Sequence, residues 1–200
     1  MTLRVSGGAL RGRRLRAPAG SGVRPTASRV REALFSILGQ DLTGDRVLDL
    51  FAGAGSLGIE AASRGAARVV FVEQSRDHAR VLTENTGLLD GIADVVVRTR
   101  DARRAPQTLA AAGERFDLVL LDPPYGRGLA GEALAALDAV ADRLLRPGAV
   151  VVVETDGRDA LPERVGTLLR SGPRRYGDTE IWLYTEPDQP ADAAPPREDG

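Results

Sequence analysis

Residues 46–73 read Arg46-Val-Leu-Asp-Leu-Phe-Ala-Gly-Ala-Gly-Ser-Leu-Gly-Ile-Glu-Ala-Ala-Ser-Arg-Gly-Ala-Ala-Arg-Val-Val-Phe-Val-Glu73. A short apolar run over 46–51 meets three glycines, Gly53, Gly55 and Gly58, in the order G-x-G-x-x-G. Helix-forming residues then carry the chain to Arg64, and a second apolar run over 68–72 stops at Glu73. Strand, tight turn, helix, strand is the opening of a parallel βαβ unit. Glycines at such a turn let the backbone approach a ligand at the helix N-terminus, because no Cβ stands in the way. In an open parallel sheet that ligand sits beyond the carboxyl ends of the strands, where the strand order reverses.

The alternation continues toward the C-terminus. The spacing predicts a helix over 78–86, a strand over 94–98, a helix over 107–112 and a strand over 116–121. That strand runs straight into Asp122-Pro123-Pro124-Tyr125. A long Ala/Leu helix is expected over 129–145, stopped by Pro147-Gly148, then a fifth strand over 149–154. Continuous Val/Leu runs, rather than apolar–polar alternation, mark strands covered on both faces. Residues 174–177 and 180–184 lie too close together for a crossover helix, so they predict an antiparallel hairpin at one edge. The expected fold is therefore α/β, a mostly parallel seven-stranded sheet closed by a C-terminal hairpin. Toward the N-terminus, Val30, Ala33, Leu34, Ile37 and Leu38 form one helical face, with Ser28 as the expected N-cap and Gly39 as the stop. The glycine-punctuated residues before it suggest a small hairpin or extended arm. The expected division is a basic arm over 1–27, a catalytic domain over 28–185 and a disordered tail over 186–200, where four prolines and five acids leave no large apolar side chain.

Composition narrows the function. With 42% hydrophobic residues, the 200-residue chain can bury a core. No apolar run nears the roughly 18 residues of a membrane span, and the Arg-rich start has no secretory h-region, so a cytoplasmic protein is expected. With no cysteine and one histidine, His78, the chain has no thiolate chemistry, and no metal site is expected. His78 falls on an expected surface helix and reads as solvated. Every one of the 27 basic residues is arginine. Arg4, Arg11, Arg13, Arg14, Arg16, Arg24, Arg29 and Arg31 stand in the first 31 residues without one acid, a segment charge of +8. Arginine-only usage reflects base composition equally well, but the missing acids do not follow from it. The segment reads as a nucleic-acid contact.

Two constellations carry chemistry. In the first, Glu73 lies 24 residues after Asp49 and can accept hydrogen bonds from a ribose. The turn alone admits a dinucleotide, S-adenosylmethionine, or no ligand at all. Asp49, just ahead of the loop, would repel a pyrophosphate, which favours the amino and sulfonium groups of S-adenosylmethionine. In the second, Pro123 and Pro124 remove two backbone donors and leave carbonyls available. An exocyclic amine could donate to the Asp122 carboxylate and the Pro123 carbonyl, which would aim its lone pair out of the base plane. Tyr125 offers a face for stacking. Asp-Pro can equally end a strand as a plain turn. Asp101, at the end of the third strand, could bind an adenine amine or cap a helix. Trp182 and Tyr184 read as packing residues.

Residues 47–73 and 117–125 resemble class I S-adenosylmethionine-dependent methyltransferases of the amino-group type. Ser6-Gly7-Gly8, Arg11-Gly12-Arg13, Arg24-Pro25-Thr26, Arg29-Val30-Arg31-Glu32-Ala33-Leu34-Phe35 and Arg175-Tyr176-Gly177-Asp178-Thr179-Glu180 are similar to the RsmD family, bacterial enzymes that methylate the N2 amine of a guanine in 16S ribosomal RNA. The resemblance covers residues 3–185. It implies the Rossmann-like class I methyltransferase fold, and S-adenosylmethionine contacts from Asp49, Phe51, Ala52, Gly53, Gly55, Leu57, Gly58, Glu73, Gln74, Asp101 and Ala102. It implies amine binding by Asp122, Pro123 and Tyr125, with Pro124 part of the same catalytic turn. On the charge map, RNA contacts are expected from Arg4, Arg11, Arg13, Arg14, Arg24, Thr26, Arg29 and Arg31, with 16S rRNA or an assembling small subunit as partner and a monomer expected. Ala27-Ser28 departs from the family's usual Thr-Asp. Rival readings are a DNA-adenine or protein-glutamine methyltransferase, an NAD-linked oxidoreductase, or a silent RNA-binding factor. A glutamine enzyme has little use for a +8 arm, a DNA enzyme needs a recognition region for which little chain is left, and an oxidoreductase lacks a substrate domain.

Overall fold

Four hydrophobic runs, over 46–50, 68–73, 116–121 and 149–153, are buried at the centre of the sheet, while a fifth, over 94–99, forms one edge and stays half-exposed. The computed structural model describes residues 3–18 and 25–187. In chain order its strands are β1 (Leu3–Arg4), β2 (Arg14–Leu15), β3 (Arg46–Leu50), β4 (Arg68–Glu73), β5 (Asp94–Thr99), β6 (Phe116–Leu121), β7 (Leu145–Thr155), β8 (Arg164–Val165), β9 (Leu168–Tyr176) and β10 (Thr179–Thr185). The α-helices are α1 (Pro25–Leu38), α2 (Ser56–Ser63), α3 (Arg76–Thr86), α4 (Ala105–Ala111), α5 (Leu129–Asp138) and α6 (Ala141–Leu144).

Strands β3 to β10 form one sheet in the order β5-β4-β3-β6-β7-β10-β9-β8, and β1 pairs with β2 in a separate antiparallel hairpin. The first five strands of the sheet are parallel; β10, β9 and β8 are antiparallel. From β3 the chain builds outward through β4 to β5, then returns to place β6 on the other side of β3. The loops after β3 and β6 therefore open side by side at the switch in strand order, where open α/β sheets bind ligands.

Alternate strand residues face opposite layers. Val47, Val69, Phe71, Leu118 and Leu120 pack with the hairpin, α1 and α2. Leu48, Leu50, Val70, Val72, Val119 and Leu121 pack with α4, α5 and α6. Leu3, Val5, Leu10 and Leu15 of the hairpin belong to the first core, so the basic segment is seated on the domain.

Four expectations are corrected. The sheet has eight strands rather than seven, because β8 contributes a two-residue edge too short for a periodic signal. Helix α1 begins at Pro25, not after Ser28; a proline fits the first turn, where its missing N–H would have no partner. The expected helix over 129–145 divides into α5 and α6. Pro147-Gly148 lies inside β7, where the pairing with β6 shifts register and no ladder donor is needed. Residues 188–200, most of the expected disordered tail, lie outside the described residues.

Candidate active site

The loops after β3, β4 and β6 surround one cleft of about 700 Å³ at the carboxyl edge of the sheet, a size that suits a small-molecule ligand. Phe51, Ala52, Gly53, Glu73, Gln74 and Ala102 line one side. Asp122, Pro123, Pro124 and Tyr125 line the other. The glycine turn and the Asp-Pro-Pro-Tyr turn, far apart in the chain, thus face the same space.

The β3 loop turns sharply at Phe51, whose φ of 67° is left-handed for a bulky residue and sits at the cleft. Gly53 lines the cleft with a left-handed φ of 55°, and a Cβ there would meet nothing nearer than 4.0 Å. Gly55 and Gly58 serve packing instead. A Cβ on Gly55 would strike Leu82, and one on Gly58 would strike the Phe71 ring, at 2.5 and 2.3 Å. Glu73 ends β4 with one carboxylate oxygen accepting the Gly53 N–H at 2.8 Å and the other the Ser75 N–H at 2.7 Å. Each oxygen keeps a second lone pair, so a ribose diol fits this donor and acceptor set.

Asp49, Gly55, Leu57, Gly58 and Asp101 do not line the cleft. Asp49 is buried, accepts the Gly58 N–H at 2.9 Å, and has its pKa pushed up to about 7, chiefly by burial. It braces the loop from within. Leu57 is core. Asp101 takes the Arg103 guanidinium at 2.6 Å, which holds its carboxyl below the usual range. The sequence reading missed Val72, Ser75, Arg127 and Leu129, which also line the cleft, as do Ala54, Ser56 and the half-exposed His78, 3.9 Å from Glu73.

Across the cleft, Tyr125 donates its phenol to Glu154 near the end of β7 at 2.8 Å. Burial first, then the Glu154 and Asp122 charges, hold that phenol above its ordinary pKa, so it stays protonated. Asp122 itself is exposed to the cleft.

The basic residues divide. Arg4, Arg11, Arg13, Arg14 and Arg29 are exposed, although Arg4 also donates to the Gly12 carbonyl. Arg24 lies outside the described residues, and Thr26 is described by its backbone alone. Arg31 is corrected: it is buried, 3.3 Å from the buried Glu60, and donates to the Arg4 carbonyl. A phosphate cannot reach it there. Glu60 also accepts from the Ser6 and Gly7 N–H groups and from Arg64. Asn85 ties Arg16 to the Ala54 carbonyl of the loop after β3, with bonds of 2.8 to 2.9 Å.

This sheet order, with a glycine turn, a strand-end acid and an Asp-Pro-Pro-Tyr turn around one cleft, defines a class I S-adenosylmethionine-dependent methyltransferase fold. Residues 3–185 match the family model described as Conserved hypothetical protein 95, and the chain belongs to that family, the RsmD family of rRNA methyltransferases. YlbH of Bacillus subtilis is 36% identical over 182 residues, 91% of this chain and 98% of that protein. Ribosomal RNA small subunit methyltransferase D of Escherichia coli is 37% identical over 160 residues, 80% of this chain and 78% of that one. The solved structure of Escherichia coli yhhF matches with a TM-score of 0.77 at 32% identity, covering 94% of this chain and all of that one. A Thermus thermophilus 16S rRNA N2 G1207 methyltransferase, solved with AdoMet and guanosine, matches with a TM-score of 0.67 at 25% identity over 93% of this chain and half of its own. No helix among the described residues is long and apolar enough to cross a membrane.

Proposed function

We propose that this protein transfers a methyl group from S-adenosylmethionine to the exocyclic N2 amine of a guanine in 16S rRNA. The observation that carries the reading is the single cleft shared by Gly53, Glu73 and Asp122–Tyr125. Glu73 and the Gly53 loop would hold the nucleoside half of the cofactor. The cofactor supplies a methyl carbon on a positively charged sulfur, which passes to nitrogen as the carbon–sulfur bond breaks.

The chain's own residues do the rest. An aryl amine is a poor nucleophile because its lone pair is delocalised into the ring. Accepting its two N–H bonds at the Asp122 carboxylate and the Pro123 carbonyl turns the lone pair out of the base plane. Both acceptors also stabilise the positive charge that grows on nitrogen. Tyr125, held by Glu154, presents its ring to the base, and the fixed geometry supplies orientation. The methylated aminium is acidic, so Asp122 or water takes the proton and no histidine is required. Support for the RNA and the atom comes from the exposed arginines of the hairpin, the small-subunit rRNA named for the Escherichia coli relative, and the guanosine bound by the Thermus enzyme.

The test is transfer of a labelled methyl group to small subunits and to naked 16S rRNA from a strain lacking the gene, followed by nucleoside digestion. Label in N2-methylguanosine supports the reading; label in another nucleoside, in DNA or in protein overturns it. Asp122→Ala is expected to lower transfer by at least about a hundredfold with cofactor affinity unchanged by calorimetry. Equal loss of both removes the assigned role.

A further inference from the structure

We infer that Arg127 forms a phosphodiester-binding subsite at the cleft, gripping the backbone of the nucleotide whose base enters it. The inference rests on the rRNA reading above. The ionisable side chains lining the cleft are Glu73, Asp122, Arg127 and His78. The two carboxylates are committed, one to the cofactor side and one to the amine, and both repel the phosphates that must follow a base inward. Arg127 is the lining cation that is charged at any physiological pH.

Its surroundings leave it free for this task. Arg103 is paired with Asp101 at 2.6 Å and Glu132 at 2.7 Å, and Arg158 donates to Asp156 at 2.6 Å. Arg127, by contrast, is exposed and enters no hydrogen bond or ion pair within the described residues. The turn that carries it is nevertheless fixed. Gly126 and Gly128, on either side, are left-handed, with φ of 67° and 69°. The Gly128 N–H donates to Asp159 at 3.1 Å, and the Gly126 α-carbon faces the Arg158 guanidinium. An unpaired arginine on a braced turn, two residues past the ring on which the base would stack, meets the sugar–phosphate of that same nucleotide. Its planar fork matches two phosphate oxygens.

The experiment compares parent, Arg127→Ala and Arg127→Lys in methyl transfer to small-subunit RNA across a salt series, with S-adenosylmethionine affinity measured by calorimetry. Arg127→Ala is expected to raise the KM for RNA about tenfold and to flatten the log–log salt slope by about 0.7, one single-strand phosphate contact. Arg127→Lys should recover part of both, since the charge remains. Cofactor affinity should not move. An active parent with KM and slope unchanged in Arg127→Ala overturns this inference alone. Weakened cofactor affinity with an unchanged RNA slope would make the anion the cofactor's carboxylate and also overturns it. A parent inactive on every rRNA acceptor overturns the underlying reading, and this inference with it.

Discussion

Asp49 shows how far a residue's identity can be read before its surroundings are known. Its position ahead of the glycines marks it as important, and its charge suggests a ligand contact. The structure turns the carboxylate inward, onto the Gly58 N–H. Gly58 is a glycine for the same reason: its Cβ would meet the Phe71 ring and come within 3.0 Å of the Asp49 carboxylate. A motif written as three glycines thus conceals one position at the cleft and two packing positions, which only the neighbouring strand β4 and helix α3 distinguish. Burial raises the folded pKa of Asp49 from 3.8 to about 7. A carboxyl with a raised folded pKa binds its proton more tightly when folded. Its contribution to stability is therefore present at low pH and declines as the pH rises from about 4 to 7. Asp49→Asn keeps an acceptor for Gly58 and cannot titrate. In urea unfolding, the variant should match the parent near pH 4 and become the more stable protein by pH 8, by up to about 4 kcal/mol. A difference that does not vary with pH would show that Asp49 does not titrate in this range.

At the scale of elements, strand and helix order was legible because hydrophobic period is a local signal, while the ends of elements were not. Pro147-Gly148 reads as a helix stop, yet tertiary pairing places it at a register shift within β7. Strand β8 pairs for two residues and leaves no pattern to find. The basic segment is similar: counting arginines locates the charge but not its direction. Arg31 lies three and four residues before the buried Leu34 and Phe35, so helix α1 carries it inward, while Arg29 stays outside. That spacing was available in the sequence; the buried Glu60 that receives Arg31 was not. The two kinds of arginine should separate by experiment. Replacing Arg11, Arg13 and Arg14 with alanine should leave stability within about 0.5 kcal/mol and flatten the salt dependence of RNA binding by about 2. Arg31→Ala should cost about 3 kcal/mol of stability, because it breaks a buried pair. Chemical unfolding and RNA-binding titrations check both. A triple variant with an unchanged salt slope would remove the hairpin from the RNA surface.

For the whole molecule, the sequence made the switch in strand order inferable but not the contacts that close over it. The Tyr125–Glu154 bond joins the loop after β6 to the end of β7, and Asn85 joins the hairpin to the loop after β3. Such pairings lie 29 and 31 residues apart in the chain, beyond the reach of local periodicity. The hairpin is where they matter most. Composition suggests an arm separate from the domain, but the Ala9 N–H donates to the Ser63 carbonyl, the Leu10 N–H donates to the Ser63 hydroxyl, and Gly8 packs so closely on Ser63 that a Cβ would overlap its carbonyl. Leu3, Val5, Leu10 and Leu15 share a core with α1 and α2. A segment anchored by buried apolar side chains and internal hydrogen bonds opens only when its core opens. Amide hydrogen exchange should therefore show the Ala9 and Leu10 amides as slow as those of β3 and β6, with the same denaturant dependence. Glu60→Gln should accelerate the hairpin first, since it weakens the anchor of Ser6 and Gly7 while leaving the sheet paired. Fast exchange at Ala9 and Leu10 in the parent, beside a protected sheet, would mean that the hairpin opens by itself and that RNA meets a movable arm instead of a fixed basic surface.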